Sequence, residues 1–480
     1  MTSYDLIVIG AGPVGENVAD RAKQGGLSVL VVESELVGGE CSYWACMPSK
    51  ALLRSGSALR AARAVAGSKE AVTGELDVAA VLKRRDSFTS SWDDQGQVSW
   101  LEGIGIDLAR GHGRISGPRR VTVTAPDGSV TEHEAAHAVV VSTGTAALLP
   151  DIPGLAESQP WTSREATSVE VVPTSIVVIG GGVVAAEMAT AFASLGSAVT
   201  LVARSGLLSG QEPFAGELVG DSLRDMGVDV RLGASPSRVT RDGDEVTVEL
   251  SDGSAVTAAE VLEVLVATGR TPRTEDLGLD AVGLEAGAYL DVDDTMLVTG
   301  DVNAETPWLY AVGDVNHRAL LTHQGKYQAR AAGEVIAARA TGGTVDDAPW
   351  GVHVATADHR AVPQVTFTDP EVASVGLTAK AAEEAGIRTR VVDYDLGSVA
   401  GSSLHADGYA GKARMVVDED RGVIVGVTFV GQDVAELLHS ATIAVVGEVP
   451  VTRLWHAVPS YPTISEVWLR LLETYGRPTA

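Results

Sequence analysis

The sequence is nearly empty of cysteine: Cys41 and Cys46 are the only thiols among 480 residues. That excludes a disulfide framework of the kind that staples small secreted domains. A zinc site would need further thiolate or imidazole ligands around the pair, and no metal is expected. Cationic residues are also in deficit, with 36 Lys and Arg against 63 Asp and Glu and a formal net charge of −27. A field of that sign repels nucleic acid and anionic lipid surfaces. The densest basic cluster, Lys83-Arg84-Arg85, is short and reads as a solvated helix face. No apolar run approaches the ~18 residues of a membrane span. The first apolar run has Asp5 in front of its core where a leader would carry basic residues. A cytoplasmic protein without nucleic-acid or membrane partners is the expectation. In a reducing cytosol a permanent disulfide is disfavoured, so a close cysteine pair reads as catalytic, redox-sensing or metal-binding.

What the chain has in quantity is apolar residues, 45%, and glycine, 53 residues. The length suggests about three domains. One internal repeat organises them. "YDLIVIGAGPVGENVADRAKQGGLSVLVVES" opens the chain, and "TSIVVIGGGVVAAEMATAFASLGSAVTLVARS" recurs 170 residues later. Each reads as strand, Gly-rich turn, helix and strand, the start of a doubly wound parallel sheet. The register agrees, because Gly10 to Gly26 and Gly180 to Gly196 both span 16 positions. Between and after them, "RRVTVTAPDGSVTEHEAAHAVVVSTG" and "DEVTVELSDGSAVTAAEVLEVLVATG" read as short strands about Asp-Gly turns. They end at Thr143-Gly144 and Thr268-Gly269. The segment "LLPDIPGL" reads as a domain crossing, and a second boundary falls near residues 340–351.

In the first repeat Gly10 makes the tight turn, Gly12 lets the backbone approach a pyrophosphate, and Gly15 allows close helix–strand packing. The helix N-terminus favours the phosphate charge. Glu33, 23 residues after Gly10, is placed to accept hydrogen bonds from a ribose. The second copy, Gly180-Gly181-Gly182-Val183-Val184-Ala185, has Ala203 at the equivalent of Glu33, followed by Arg204. Loss of the acid removes repulsion toward a ribose 2′-phosphate, which a guanidinium binds in bidentate fashion. NADPH is therefore the expected donor, with NADH possible, unless Arg204 is simply a surface residue.

Cys41 and Cys46 lie five positions apart, about 7.5 Å of rise in a regular helix. That exceeds the usual ~4.4–6.8 Å across a disulfide, so a redox pair requires an irregular segment here. Pro48 supplies a break, and "PSKALLRSGSALRAAR" reads as the helix that follows. Cys46 then sits near a helix N-terminus, where the dipole favours a thiolate, with Lys50 adding positive charge.

The stretch "GGECSYWACMPSK" resembles the redox motif of the class I pyridine nucleotide-disulfide oxidoreductases. Members include dihydrolipoamide dehydrogenase, glutathione reductase and mercuric reductase. "VLVATGRTPRTEDLGL", "LYAVGDV" and "VPQVTFTDPEVASVGLT" are similar to further family motifs, so the resemblance spans the chain. It implies an α/β protein with two Rossmann-like dinucleotide-binding domains, for FAD and NAD(P), and a C-terminal α+β dimerisation domain. The FAD domain is expected over residues 1–150 and 270–345, the NAD(P) domain over 151–269, and the interface domain over 350–480. Cys46 is implied as the thiol that forms a charge-transfer complex with the flavin, and Cys41 as the interchange thiol facing substrate. Lys50 is implied near flavin N5, paired with Glu187. Asp314 is implied at the ribityl chain, Leu321 and Thr322 beside the flavin, and Gly113 near the adenine. The Thr143-Gly144 and Gly269 turns complete the expected cofactor contacts.

The C-terminal motif departs from the family. Its disulfide-reducing members read His-Pro-Thr-x-x-Glu, and this chain reads Tyr461-Pro462-Thr463-Ile464-Ser465-Glu466. An imidazole titrates near ~6.5 and a phenol near ~10, so Tyr461 is a poor general base at neutral pH. His456, just upstream, is a candidate substitute or an interface histidine. Glu466 keeps the family's acid position without an imidazole to orient. Glu40 stands where the family commonly has Thr. Tyr43 and Trp44 either narrow access to Cys41 or pack within the flavin domain. The leading expectation is a homodimeric flavoenzyme passing electrons from NAD(P)H through FAD and the Cys41–Cys46 disulfide to a small disulfide substrate. A reductase of quinones or other small acceptors, and a non-enzymatic redox sensor, are the alternatives.

Overall fold

A computed structural model describes residues 2–243, 245–257 and 262–477. The first repeat folds as β1 (Thr2–Ile9), α1 (Pro13–Gln24) and β2 (Val29–Glu33). The cysteine segment follows as α2 (Gly39–Tyr43) and α3 (Cys46–Arg63), then come α4 (Val78–Phe88) and α5 (Gln95–Gly103). The second repeat opens with β3 (Ser175–Ile179), α6 (Val183–Ser194) and β4 (Ala198–Ala203). Two later helices are α7 (Thr322–Thr341) and α8 (Val467–Tyr475). The expected hairpin after the second repeat appears as Glu245–Leu250 and Ala255–Thr257, followed by the strand Leu262–Val266. Asp244 and residues 258–261 of that stretch lie outside the described residues.

The chain divides into two compact units. The first contains residues 1–48, 86–147 and 270–359. Its sheet has parallel strands in the order Asp107–Arg110, β2, β1, Val130–Val141, with Leu309–Ala311 also parallel to the last. Arg120–Thr124 and His112–Gly117 extend it antiparallel. Leu6, Ile7, Val8 and Ile9 are all buried, as a strand covered on both faces requires. α1 and α7 run parallel in close contact. A Cβ on Gly325 would stand 2.6 Å from Val14, one on Gly333 2.6 Å from Arg21, and one on Gly25 2.4 Å from Ala337.

The second unit contains residues 49–85, 148–269 and 360–480. It holds a parallel sheet ordered Asp229–Leu232, β4, β3, Leu262–Val266. It also holds a five-stranded antiparallel sheet between Pro363 and Gly431. The 49–85 segment, expected with the first domain, belongs with this unit for packing reasons. Leu52, Leu53 and Val81 enter the core around Ile176, Phe192 and Leu201. Arg60 bonds Asp369 at 2.5 Å and Ser194 at 2.7 Å. The basic cluster is only partly solvated. Arg85 is 2% exposed and donates to the carbonyls of Thr167 and Val169 at 2.6 and 2.8 Å. Its guanidinium joins α4 to the segment just before the second repeat, which a reading of charge runs does not reveal.

Candidate active site

The redox segment has the irregularity that its spacing demands. α2 ends at Tyr43, Trp44 leaves helical conformation at φ −137°, and α3 starts afresh at Cys46. Pro48 is not the break. It occupies the first turn of α3, where its missing N–H has no helical acceptor to lose. Tyr43 is 1% exposed, donates to Val37 O at 3.1 Å, and accepts Trp92 Nε1 on its carbonyl at 3.2 Å. It therefore packs inside the first unit and clamps the loop from below.

Both cysteines are free thiols, half-buried, and share a hydrogen bond. Cys46 Sγ lies 3.5 Å from Thr322 Oγ1 at the start of α7. The Cys46 sulfur and burial push the Cys41 thiol up, while Thr322 and the Lys326 ammonium act in the opposite direction. Glu40, next to Cys41, pairs with Arg273 at 2.9 Å. Arg273 also bonds Gly144 O through its backbone N–H at 3.0 Å. Arg273 and Lys326 were not legible as site residues; Lys326 is one helical turn after Thr322, a spacing that could have drawn attention to it.

The cradle around the first Gly-rich turn fits a dinucleotide. Gly10 holds φ +101°, and a Cβ there would stand 2.4 Å from Ser142 O. A Cβ on Gly15 would stand 2.0 Å from Gly10 O, whereas nothing lies within 4 Å of one on Gly12. The backbone is thus closed behind the turn and open in front of α1. Glu33 accepts the backbone N–H groups of Ala11 and Glu35, each at 2.7 Å, and burial pushes its carboxyl up. Gly113 packs on Val32 and Ile9 next to this acid. Thr143 Oγ1 is buried without a partner among the described residues, the kind of orphan that a bound group satisfies. Asp314 accepts Thr145 Oγ1 at 2.8 Å, and that hydroxyl accepts Arg270 Nε at 2.5 Å. Burial pushes Asp314 up. Thr145, absent from the expected set, thus positions Asp314. Leu321 caps α7 directly before Thr322.

In the second unit, Lys50 Nζ lies 2.6 Å from Glu187 Oε2. Glu187 is 3% exposed, and its other oxygen accepts Phe367 N at 2.9 Å. Lys50 also lies 5.0 Å from the Phe367 ring centroid. Helix α3 thus carries Cys46 at its first residue and a fixed ammonium one turn later. Gly180 holds φ +140°, a Cβ there would stand 2.2 Å from Ala267 O, and Gly182 is open. Val183 and Val184 are exposed at the start of α6, Arg204 is exposed at the end of β4, and Gly269 holds φ +151°. Tyr461 is 75% exposed, and His456 is exposed as well. Glu466 is buried just before α8, where Arg470 bonds one oxygen and the other has no partner.

Comparison with known proteins settles the family. Residues 4–335 match the model described as pyridine nucleotide-disulphide oxidoreductase, and residues 362–471 match the dimerisation domain of that name. The chain belongs to the pyridine nucleotide-disulphide oxidoreductases. It is similar to dihydrolipoyl dehydrogenase of Thermus scotoductus, 33% identical over 97% of this chain and 96% of that protein. It is also similar to mercuric reductase of Staphylococcus aureus, 29% identical over 96% of this chain and 81% of that protein. Among solved structures, LpdA of Mycobacterium tuberculosis has a TM-score of 0.80 and 25% identity, covering 98% of this chain and 99% of that one. As a member of this family the protein is a flavoprotein disulfide oxidoreductase that binds FAD and uses NAD(P)H, which replaces the sensor alternative. The dimerisation domain supports a homodimer. No described helix is long and apolar enough to cross a membrane.

Proposed function

We propose that the protein uses NADPH to reduce a small disulfide through Cys41 and Cys46, as a cytoplasmic homodimer. The observation that carries this reading is the thiol pair itself, joined by a hydrogen bond, with Cys46 opening an 18-residue helix against Thr322. Bound FAD would supply the two-electron relay between the nicotinamide and the disulfide.

The chain's own residues do the rest. The open N-terminus of α1 at Gly12 takes the pyrophosphate, and Glu33 takes the ribose hydroxyls. Asp314, held by Thr145, orients the ribityl hydroxyls. Gly180, Gly182 and the N-terminus of α6 receive the nicotinamide dinucleotide, and Arg204 its 2′-phosphate. Glu187 keeps Lys50 fixed one turn after Cys46 on α3. Cys41, as a thiolate, attacks the substrate disulfide and forms a mixed disulfide, releasing one substrate thiol. Cys46 then displaces the second thiol and closes Cys41–Cys46.

A second reading, reduction of quinones or similar small acceptors, rests on Tyr461. An exposed phenol stands there in place of the imidazole that takes the interchange thiol's proton in the family's disulfide-reducing members. An acceptor panel on wild type and Cys41→Ser decides between them. Disulfide turnover lost in Cys41→Ser supports the first reading. Undiminished turnover of every wild-type acceptor in Cys41→Ser contradicts it and favours the second.

A further inference from the structure

The exposed Tyr461 leaves open what governs proton loss from the interchange thiol. The first unit holds a set of charges behind α2 that the function above does not use. α1 and α7 run parallel, in register at Val14–Gly325 and again at Arg21–Gly333. Their N-terminal ends both reach the redox segment: a Cβ on Gly39 would stand 2.8 Å from Gly12 Cα, and Thr322 touches Cys46. A residue or two along from Val14 and Gly325, the same register brings Glu16 of α1 level with Lys326 of α7. Lys326 follows Thr322 by one helical turn, on the same face.

Glu16 is an unusual residue there, half-buried with its Oε1 shielded from solvent. Among the described residues its Oε1 has no hydrogen-bond partner, and beside it is a cavity of about 330 Å³ lined by Asn17, Gly96, Gln97 and Trp100. The helix does not need an acid at this position: its counterpart in the second repeat is Ala186, fully buried. Burial pushes Glu16 up to about 7, Lys326 acts against that, and Glu33 adds to it. Lys326 also acts on Cys41, holding its thiol down against the Cys46 sulfur and the burial that raise it. Other charges lie nearby, with Asp93 and Asp94 both acting on the Tyr43 phenol. Asp94 bonds Arg110 at 2.5 Å, Glu40 bonds Arg273, and burial raises the Tyr43 phenol to about 12.

We propose that Lys326 and Glu16 form an internal charge switch that sets how readily Cys41 becomes a thiolate. With Glu16 protonated, the ammonium acts in full on the thiol. With Glu16 ionised, the carboxylate offsets the ammonium, and the thiolate loses that support. The released thiol proton goes to water. The thiolate fraction therefore climbs less steeply through neutral pH than that of an isolated thiol. The proposal rests on the reading of Cys41 as the interchange thiol.

The test is the pH dependence of iodoacetamide alkylation, read separately at Cys41 and Cys46 by mass spectrometry, on the FAD-loaded, dithiol-reduced protein. Lys326→Met should slow Cys41 alkylation about tenfold at pH 7, one unit in apparent pKa. Lys326→Arg, which keeps the charge, should restore it. Glu16→Gln should leave the rate unchanged below pH 6 and raise it about threefold at pH 8, half a unit. Lys326→Met and Glu16→Gln profiles superimposed on wild type overturn the proposal. So does a Lys326→Arg profile as slow as that of Lys326→Met, because packing and not charge would then be responsible. If wild-type Cys41 resists alkylation at every pH while Cys46 reacts, it is the assignment of Cys41 as interchange thiol that falls.

Discussion

The two Gly-rich turns are the same construction put to different ends. Gly10 and Gly180 both hold positive φ, and each fits against a carbonyl, Ser142 O or Ala267 O, where a Cβ would stand at 2.4 or 2.2 Å. Gly12 and Gly182 both face open space. Beyond the turn the repeats diverge. Gly15 admits no Cβ, whereas Ala185 sits fully buried at the matching place. β2 ends in the carboxylate of Glu33, which accepts two backbone N–H groups, while β4 ends in Ala203 with an exposed arginine after it. Glu16 stands opposite Ala186. On the proposed reading the turn takes the pyrophosphate, and the flanking positions set which dinucleotide each repeat takes.

The comparison breaks hardest at the turns. Gly10→Ala forces a side chain into positive φ and into Ser142 O, and should yield protein without flavin absorbance. Gly180→Ala should keep the flavin and lose at least about 100-fold in kcat/KM for NADPH, roughly 2.7 kcal/mol of transition-state binding. Retained flavin in Gly10→Ala would show that the two turns are not equivalent. Next comes the strand end of the second repeat. Arg204→Ala should lower kcat/KM for NADPH about 10–100-fold and leave NADH nearly untouched, as expected for loss of a charged hydrogen bond. Equal losses with both nucleotides would show that Arg204 does not read the 2′-phosphate.

Smaller effects belong to the first repeat's acids. Glu33→Gln should weaken FAD binding about tenfold. Burial raises the Glu33 pKa, so wild-type FAD affinity should fall as the pH drops through that raised value, and the variant should lack this dependence. For Glu16 the folded-state value, about 7, lies above its ordinary 4.5. The folded protein holds this proton longer than the unfolded chain does, so stability declines as pH rises between those values. Glu16→Gln should match wild type in Tm at pH 4 and exceed it by about 2–4 °C at pH 8. A Tm difference that is constant with pH would contradict this.

Much of this was legible in the sequence. The repeat spacing placed both turns, and the motif around Cys41 and Cys46 placed the redox segment and its required irregularity. What was not legible depends on contacts between distant segments. Residues 49–85 follow the cysteines in sequence, yet Leu52 and Val81 pack with Ile176. Arg85 looked solvated because its neighbours Lys83 and Arg84 are, while its acceptors lie more than 80 residues away at Thr167 and Val169. Thr145, Arg273 and Lys326 carry no motif of their own. Their roles arise from where Asp314, Glu40 and the α1–α7 contact bring them.

The central claim is that electrons from the nicotinamide reach Cys41 and Cys46. The most direct measurement is alkylation of the oxidised, FAD-loaded protein before and after anaerobic addition of NADPH. The account predicts that both cysteines are protected beforehand and labelled afterwards, and that Gly180→Ala slows the change. Labelling that is the same with and without NADPH would contradict it.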